Sequence, residues 1–174
     1  MRNLALALLI GMGVCGCGTT YVWQPTVPKD YRSVSVPTFR NNTDLMELGP
    51  IATQQVLWEF QREGAFTIKA VGDSALEVQG IIKSAGSSNS AYDRRYGLRH
   101  SAYDMEVVAE VSVIDKRASK VLINNRLYKA TATFTAGQDL TTAQRGASNR
   151  VMEDLARQIV DDVLNIKWEK VDHE

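Results

Sequence analysis

Three arginines in one short stretch of the chain are the residues best suited to binding chemistry. Arg94, Arg95 and Arg99 lie between Tyr92 and His100, a stretch that also contains aromatic side chains. Guanidinium groups bind phosphate oxygens through paired hydrogen bonds, so these residues predict contact with an anionic glycolipid. Two other interpretations fit the same residues: a solvated hairpin tip, or a surface that contacts another protein.

Motifs for catalysis and metal binding are absent from the sequence. The two histidines, His100 and His173, lie in a predicted loop and near the C-terminus, and no His/Cys/Asp cluster has metal-ligand spacing. No phosphate-binding glycine loop or nucleophile elbow occurs either. We therefore expect no enzyme, no metal site and no catalytic residue. Twenty basic residues balance twenty acidic ones, so no overall charge favours nucleic acid.

The first residues of the chain have the pattern of a secretory signal peptide. A short basic start is followed by the apolar run Leu4 to Val14, and small residues then flank Cys17. The apolar run is too short to cross a bilayer as a helix, which needs about 20 residues. The sequence therefore predicts a signal peptide over residues 1–16.

The residues around Cys17 resemble a lipobox, the motif at which bacterial lipoprotein precursors are cleaved and acylated. Gly16 precedes Cys17, whereas the bulkier Val14 precedes Cys15, so Cys17 fits the motif better. The alternative is an ordinary signal peptide with incidental cysteines. The resemblance implies a diacylglycerol and an N-linked acyl chain on Cys17, and several chains give stable membrane attachment. Gly18 in place of an aspartate implies, by resemblance to enterobacterial sorting, the periplasmic side of the outer membrane.

The mature chain is expected to form one domain on a tether. Residues 17–31 contain two prolines and are predicted to form the acylated tether. Residues 32–168 carry the alternating and helical patterns of the domain, and residues 169–174 form a C-terminal tail.

Hydrophobic periodicity predicts an α+β domain, a two-layer sandwich in which two helices cover one face of a four-stranded, mostly antiparallel sheet. Strands are predicted over 33–37, 76–83, 105–113 and 126–135, with an extra short strand at 66–71 as an option. One helix is predicted to begin near Pro50 and to stop at Gly64, and a second to begin with a capping box at Thr141 to Gln144. The predicted order is β-α-β-β-β-α.

The chain resembles the LPS-assembly lipoprotein LptE family, in its broad form outside the enterobacteria. The resemblance covers nearly the whole chain and rests on the order and spacing of structural motifs, which are Val34 to Pro37, Phe39 to Thr43, Leu76 to Ile82, Tyr103 to Asp115, Lys120 to Leu122 and Asp154 to Val160. It implies a plug and assembly partner inside the LptD-type β-barrel that delivers LPS to the cell surface, with LPS itself as a ligand.

Two other functions remain open from the sequence. The chain can be an envelope lipoprotein that binds LPS or another lipid without a barrel partner. It can also be a small α+β lipoprotein that activates a cell-wall enzyme. Copurification of a large barrel protein would separate these functions from the first.

Overall fold

A computed structural model describes residues 27–93, 99–135 and 139–168, without the side chains of residues 90–93 and 99–101. After a short 3-10 turn at Lys29–Tyr31, this part of the chain forms six strands and two α-helices. In chain order they are β1 (Ser33–Ser35), β2 (Arg40–Asn41), α1 (Leu48–Glu63), β3 (Thr67–Ile68), β4 (Leu76–Asp93), β5 (Arg99–Asp115), β6 (Lys120–Phe134) and α2 (Leu140–Leu164).

The strands form one mixed sheet in the order β3-β1-β4-β5-β6, with β2 paired to β4 beyond the end of β1. β1 pairs in parallel with both β3 and β4, and β2 pairs in parallel with β4. β4, β5 and β6 form an antiparallel meander. The α+β class is confirmed, but the prediction of four mostly antiparallel strands is wrong. The helix α1 returns the chain to the end at which β1 began, so β3 and β4 run parallel to β1.

β1 and β2 lie end to end along β4 with a bulge between them. Ser35 pairs with Glu77 and Arg40 pairs with Ile81, so five steps along one chain face four steps along β4. The extra residue falls around Pro37, which has no N–H to donate to a ladder. The bulge therefore interrupts the parallel pairing at the middle of the sheet.

Phe39, within this bulge, fixes α1 against the sheet. Its N–H donates to Thr53 Oγ1 at 2.9 Å, and the Thr53 hydroxyl donates to the Gly49 carbonyl at 2.8 Å. A Cβ at Gly49 would lie 2.7 Å from the Phe39 carbonyl oxygen. A glycine at this position lets the first turn of α1 approach the bulge closely.

α1 begins near Pro50 as predicted, whereas the cap of α2 differs from the predicted one. α1 starts before Pro50 and ends at Gly64, which has a left-handed φ of 67° and donates its N–H to the Phe60 carbonyl. α2 is capped by Asp139 and not by the predicted box, so that prediction is wrong. The Asp139 carboxylate accepts the N–H of Thr141 at 2.9 Å, and a negative charge is favoured at a helix N-terminus. The Thr142 hydroxyl also donates to Asp139 and, with the backbone N–H groups, lowers the pKa of that carboxyl.

One hydrophobic core lies between the helices and the sheet. Alternate residues of β4, β5 and β6 face it, and the apolar stripes of both helices cover them. Its fully buried members include Val56, Phe60, Val78, Ile82, Met105, Val107, Val111, Val113, Val151, Ile159 and Val163. The opposite face of the sheet carries no helix of the described chain.

Candidate functional site

The domain has two distinct ends, which we call the base and the tip. The base is the end at which the described chain begins and at which α2 finishes. There the ring of Tyr31 packs against Trp168 with 5.1 Å between centroids, and the Arg117 guanidinium lies 4.2 Å from the Tyr31 centroid. These contacts join the chain entry, the β5–β6 turn and the end of α2.

The base includes residues expected to belong to the tether. Val27 is only 1% exposed, and Arg32 Nε donates to its carbonyl at 3.0 Å. The packed domain therefore begins ten residues after Cys17, which itself lies outside the described residues. In the part of the chain that the structure describes, neither helix is long and apolar enough to cross a membrane.

The tip is the end of the β4–β5 hairpin, where Asp93 pairs with Arg99. β6 ends lower, because its last residue Phe134 pairs with Tyr103. At about 3.3 Å per residue, the 17 residues of β5 span about 55 Å from base to tip. Of the predicted contact residues, Arg99 opens β5, and its side chain is not described.

Arg94 and Arg95 belong to the segment that connects Asp93 to Arg99, and they lie outside the described residues. The structure therefore brings the backbone of one predicted arginine to the tip. Contact between the three arginines and a glycolipid stays a prediction.

A second group of basic residues, in the β5–β6 turn at the base, is engaged in ion pairs. Lys116 Nζ lies 3.2 Å from the buried Glu77 carboxylate, and an Arg117 nitrogen lies 3.8 Å from Asp30. A hydrogen bond from Gln79 and the nearby Lys116 lower the pKa of Glu77 against the opposing effect of its burial. Both cations are therefore already engaged in contacts within the base.

The uncovered face of the sheet is polar, and four of its charged side chains form two ion pairs. Lys83 lies 3.4 Å from Glu110, and Lys129 lies 2.8 Å from Glu106. Near the upper end of β6, Thr133 donates to Asp104 at 2.6 Å. Leu127 is exposed among these residues. The face therefore suits a polar, hydrated surrounding better than a lipid one.

A shallow groove of about 370 Å³ lies on this face beside the bulge, between Pro37 and Asn125. Asn125 has a left-handed φ of 43° within β6, and Ser112 holds it by donating to its side-chain oxygen at 2.8 Å. Arg40, Gln79 and Glu110 supply charged and polar groups to the lining. A second bulge lies in β6 beside the groove, because Val111 pairs with Arg126 whereas Val113 pairs with Ile123. In the sequence, Pro37 signals the first bulge and no residue pattern signals the second, so the groove was not predicted. The described residues hold no group of three or more His, Cys, Asp or Glu side chains that could bind a metal.

Side chains of α2 cover the outer edge of β6. Gln158 donates to the Lys129 carbonyl and Arg150 donates to the Thr133 carbonyl, each at 3.2 Å. An ion pair of 3.0 Å between Arg126 and Asp162 adds a third link. Burial raises the pKa of the Tyr128 hydroxyl, which lies beside this ion pair, and the nearby Asp162 raises it further.

Solved structures with the same fold include three from different bacteria. A protein from Xanthomonas campestris has a TM-score of 0.61 at 10% identity, covering 84% of this chain and 93% of its own. A hypothetical protein from Chlamydia trachomatis has a TM-score of 0.56 at 11% identity, with 77% and 96% covered. A protein from Caulobacter crescentus, described as a candidate lipoprotein, has a TM-score of 0.54 at 11% identity, with 78% and 90% covered. At these identities the likeness shows the fold alone.

Sequence comparison shows the family. No curated protein matches the chain. The model of a family described as "LptE: Lipopolysaccharide-assembly" matches residues 31–163, which is about three quarters of the chain and includes both helices up to the last turn of α2. The chain belongs to the LptE family of lipopolysaccharide-assembly proteins.

Proposed function

We propose that this protein is an outer-membrane lipoprotein that plugs an LptD-type β-barrel, assists its assembly and helps it to deliver LPS to the cell surface. In this proposal acyl chains on Cys17 hold the base of the domain at the periplasmic side. The observation that carries the proposal is the length of the domain, together with the family to which it belongs.

The distance from base to tip exceeds the thickness that a plug must traverse. The hydrocarbon core of a bilayer is about 30 Å thick. A hairpin of about 55 Å, with its base at the periplasmic mouth of a barrel, reaches through that layer to the outer leaflet. The segment that carries Arg94 and Arg95, together with Arg99, would then be presented where LPS emerges.

The uncovered face of the sheet also supports a position inside a barrel. The interior of an outer-membrane barrel is polar. Two ion pairs, Lys83 with Glu110 and Lys129 with Glu106, make the uncovered face polar without a large net charge. The whole chain has a formal net charge of zero. Such a face can lie against a hydrated barrel wall with these four charges still paired.

Copurification tests the proposal directly. The full-length lipoprotein, isolated from detergent-solubilised membranes, is expected to bring down a barrel protein in a fixed ratio, identified by mass spectrometry as LptD-like. Recovery of LPS without any barrel protein would instead support a lipid-binding lipoprotein. Recovery of cell-wall synthases alone would support an activator of those enzymes.

A further inference from the structure

The edges of the sheet are protected to different degrees. Along β6, Gln158 and Arg150 of α2 hydrogen-bond to outward-facing carbonyls. At the other side of the sheet, β3 is only two residues long. Short strands and covering side chains are the usual protection against unwanted pairing.

In the part of the chain that the structure describes, the upper part of β4 has neither protection. β2 stops pairing with β4 at Ile82, and from Ser84 to Ser88 the only described strand beside β4 is β5. The side chains of this segment are small and uncharged, with Gly86 at its centre, and four of the five residues are exposed. Among the described residues, no proline interrupts this edge, and Lys83 just before it is ion-paired to Glu110.

The pairing pattern identifies which main-chain groups face outward. In an antiparallel sheet, alternate residues direct both their N–H and C=O groups to the same neighbour. Because the carbonyls of Lys129 and Thr133 point away from β5, their neighbours Ala130 and Ala132 bond to Val107 and Met105. Glu106 and Asp104 then bond to Gly86 and Ser88 of β4. Ala85 and Ser87 are left with N–H and C=O groups directed at the free edge.

We propose that this free edge, Ser84 to Ser88, pairs through its main chain with an extended strand of the barrel partner while that barrel assembles. The inference rests on the proposed function. A β-barrel has unpaired edge strands until it closes. The main-chain donors and acceptors of those strands can pair with the outward-facing N–H and C=O groups of the β4 edge. The small side chains allow the two backbones to approach, and no charge opposes pairing.

Replacement of Ser87 by proline tests the edge selectively. Proline at an outward-facing position removes the free N–H and places its ring on the edge, but it leaves the hydrogen bonds between β4 and β5 in place. The matched control is Ser87→Ala, which keeps the N–H. Both full-length lipoproteins are produced in cells, and the folded barrel that copurifies with each is quantified.

The expected result is a reduction of roughly tenfold in copurified folded barrel with Ser87→Pro, since one main-chain hydrogen bond is lost and the proline ring obstructs the partner strand, and no change with Ser87→Ala. Wild-type yield of barrel with a folded Ser87→Pro lipoprotein would overturn the inference while leaving the proposed function intact. Absence of a barrel from wild-type preparations would instead refute the proposed function.

Photo-cross-linking keeps the test decisive if the proline variant does not fold. During assembly in cells, a cross-linking amino acid at position 87 is expected to give an adduct to one strand of the barrel protein before that barrel has folded. The same residue at Gln158, on the covered edge, should give adducts only to the folded barrel that encloses the domain. Adducts to a second copy of this chain, or none with the barrel, would contradict the inference.

Discussion

The ring of Phe39 occupies the space in which a side chain at residue 80 would stand. A Cβ at Gly80 would lie 2.2 Å from Phe39 Cε2, far inside van der Waals contact. Phe39 comes from the bulge between β1 and β2, and Gly80 comes from β4, so this contact closes the parallel part of the sheet over the core. A glycine is required there because of the space and not because of an unusual backbone angle.

Replacement of Gly80 by alanine is expected to destabilise the domain by about 1–3 kcal/mol, because the new methyl group overlaps the Phe39 ring. Phe39→Ala should cost about 3–5 kcal/mol through the cavity that it leaves. In the double variant the methyl group gains space, so the loss of stability should be smaller than the sum of the losses in the two single variants. Urea unfolding followed by circular dichroism measures each cost. The control is Gly86→Ala, since nothing lies within 4 Å of a Cβ there; equal losses at both glycines would argue against the contact.

The pH dependence of stability should reflect Glu77. Its pKa in the folded protein lies below the ordinary value of 4.5, through the hydrogen bond from Gln79 and the charge of Lys116. A carboxyl with a lowered folded pKa stabilises the fold above its unfolded pKa, and that contribution is lost as the pH falls through the folded pKa. The urea midpoint of the wild type should therefore drop more steeply than that of Glu77→Gln between about pH 5 and pH 3. Glu63→Gln, at an exposed position of α1, serves as control. Parallel pH profiles for wild type and Glu77→Gln would show that this pair contributes little.

Charge reversal at the tip should weaken binding of LPS. The variant Arg94→Glu, Arg95→Glu, Arg99→Glu loses three groups able to bind phosphate bidentately, so affinity for LPS or its phosphorylated mimics should fall by at least about tenfold. The control reverses three exposed charges elsewhere, with Lys29→Glu, Lys69→Glu and Lys167→Glu. Equal loss in both variants would indicate a general charge effect. Unchanged binding in the tip variant, with its circular dichroism spectrum intact, would remove the arginines from the binding site.

The membrane anchor is predicted to depend on a single sulfur atom. In cells fed a palmitate analogue, wild-type protein should incorporate the label, and Cys17→Ala should remain unlabelled and uncleaved or be released from the membrane. Cys15→Ala is the matched control and should be labelled normally, because the signal peptidase is predicted to remove that residue. Label that persists in Cys17→Ala would place the acyl chains on another residue.

Local sequence patterns were sufficient for elements that depend on neighbours along the chain. The apolar stripe of Val151, Leu155, Ile159 and Val163 predicted α2, and the glycine at 64 predicted the end of α1. Alternation along residues 105–113 predicted the central strand β5, and the α+β class followed from the order of these elements. Such patterns arise because each residue's burial depends on helical or strand periodicity, which is visible in the sequence.

Contacts between distant residues decided the rest. Leu76 to Lys83 was expected to be a whole strand, yet pairing with β5 extends β4 to Asp93 through serine, glycine and asparagine residues of low strand propensity. The parallel addition of β1 to β4, the bulge that Phe39 fills above Gly80, and the choice of Asp139 as the cap of α2 also depend on tertiary packing or on local competition between caps. By itself the sequence determined the two helices and the central parts of the longer strands, and it predicts an anchor near the N-terminus. Only the tertiary structure decided how many strands join, in which direction they run, and which part of β4 has no described strand on its outer side. Hydrogen bonds between strands join residues whose partners are not encoded in local periodicity.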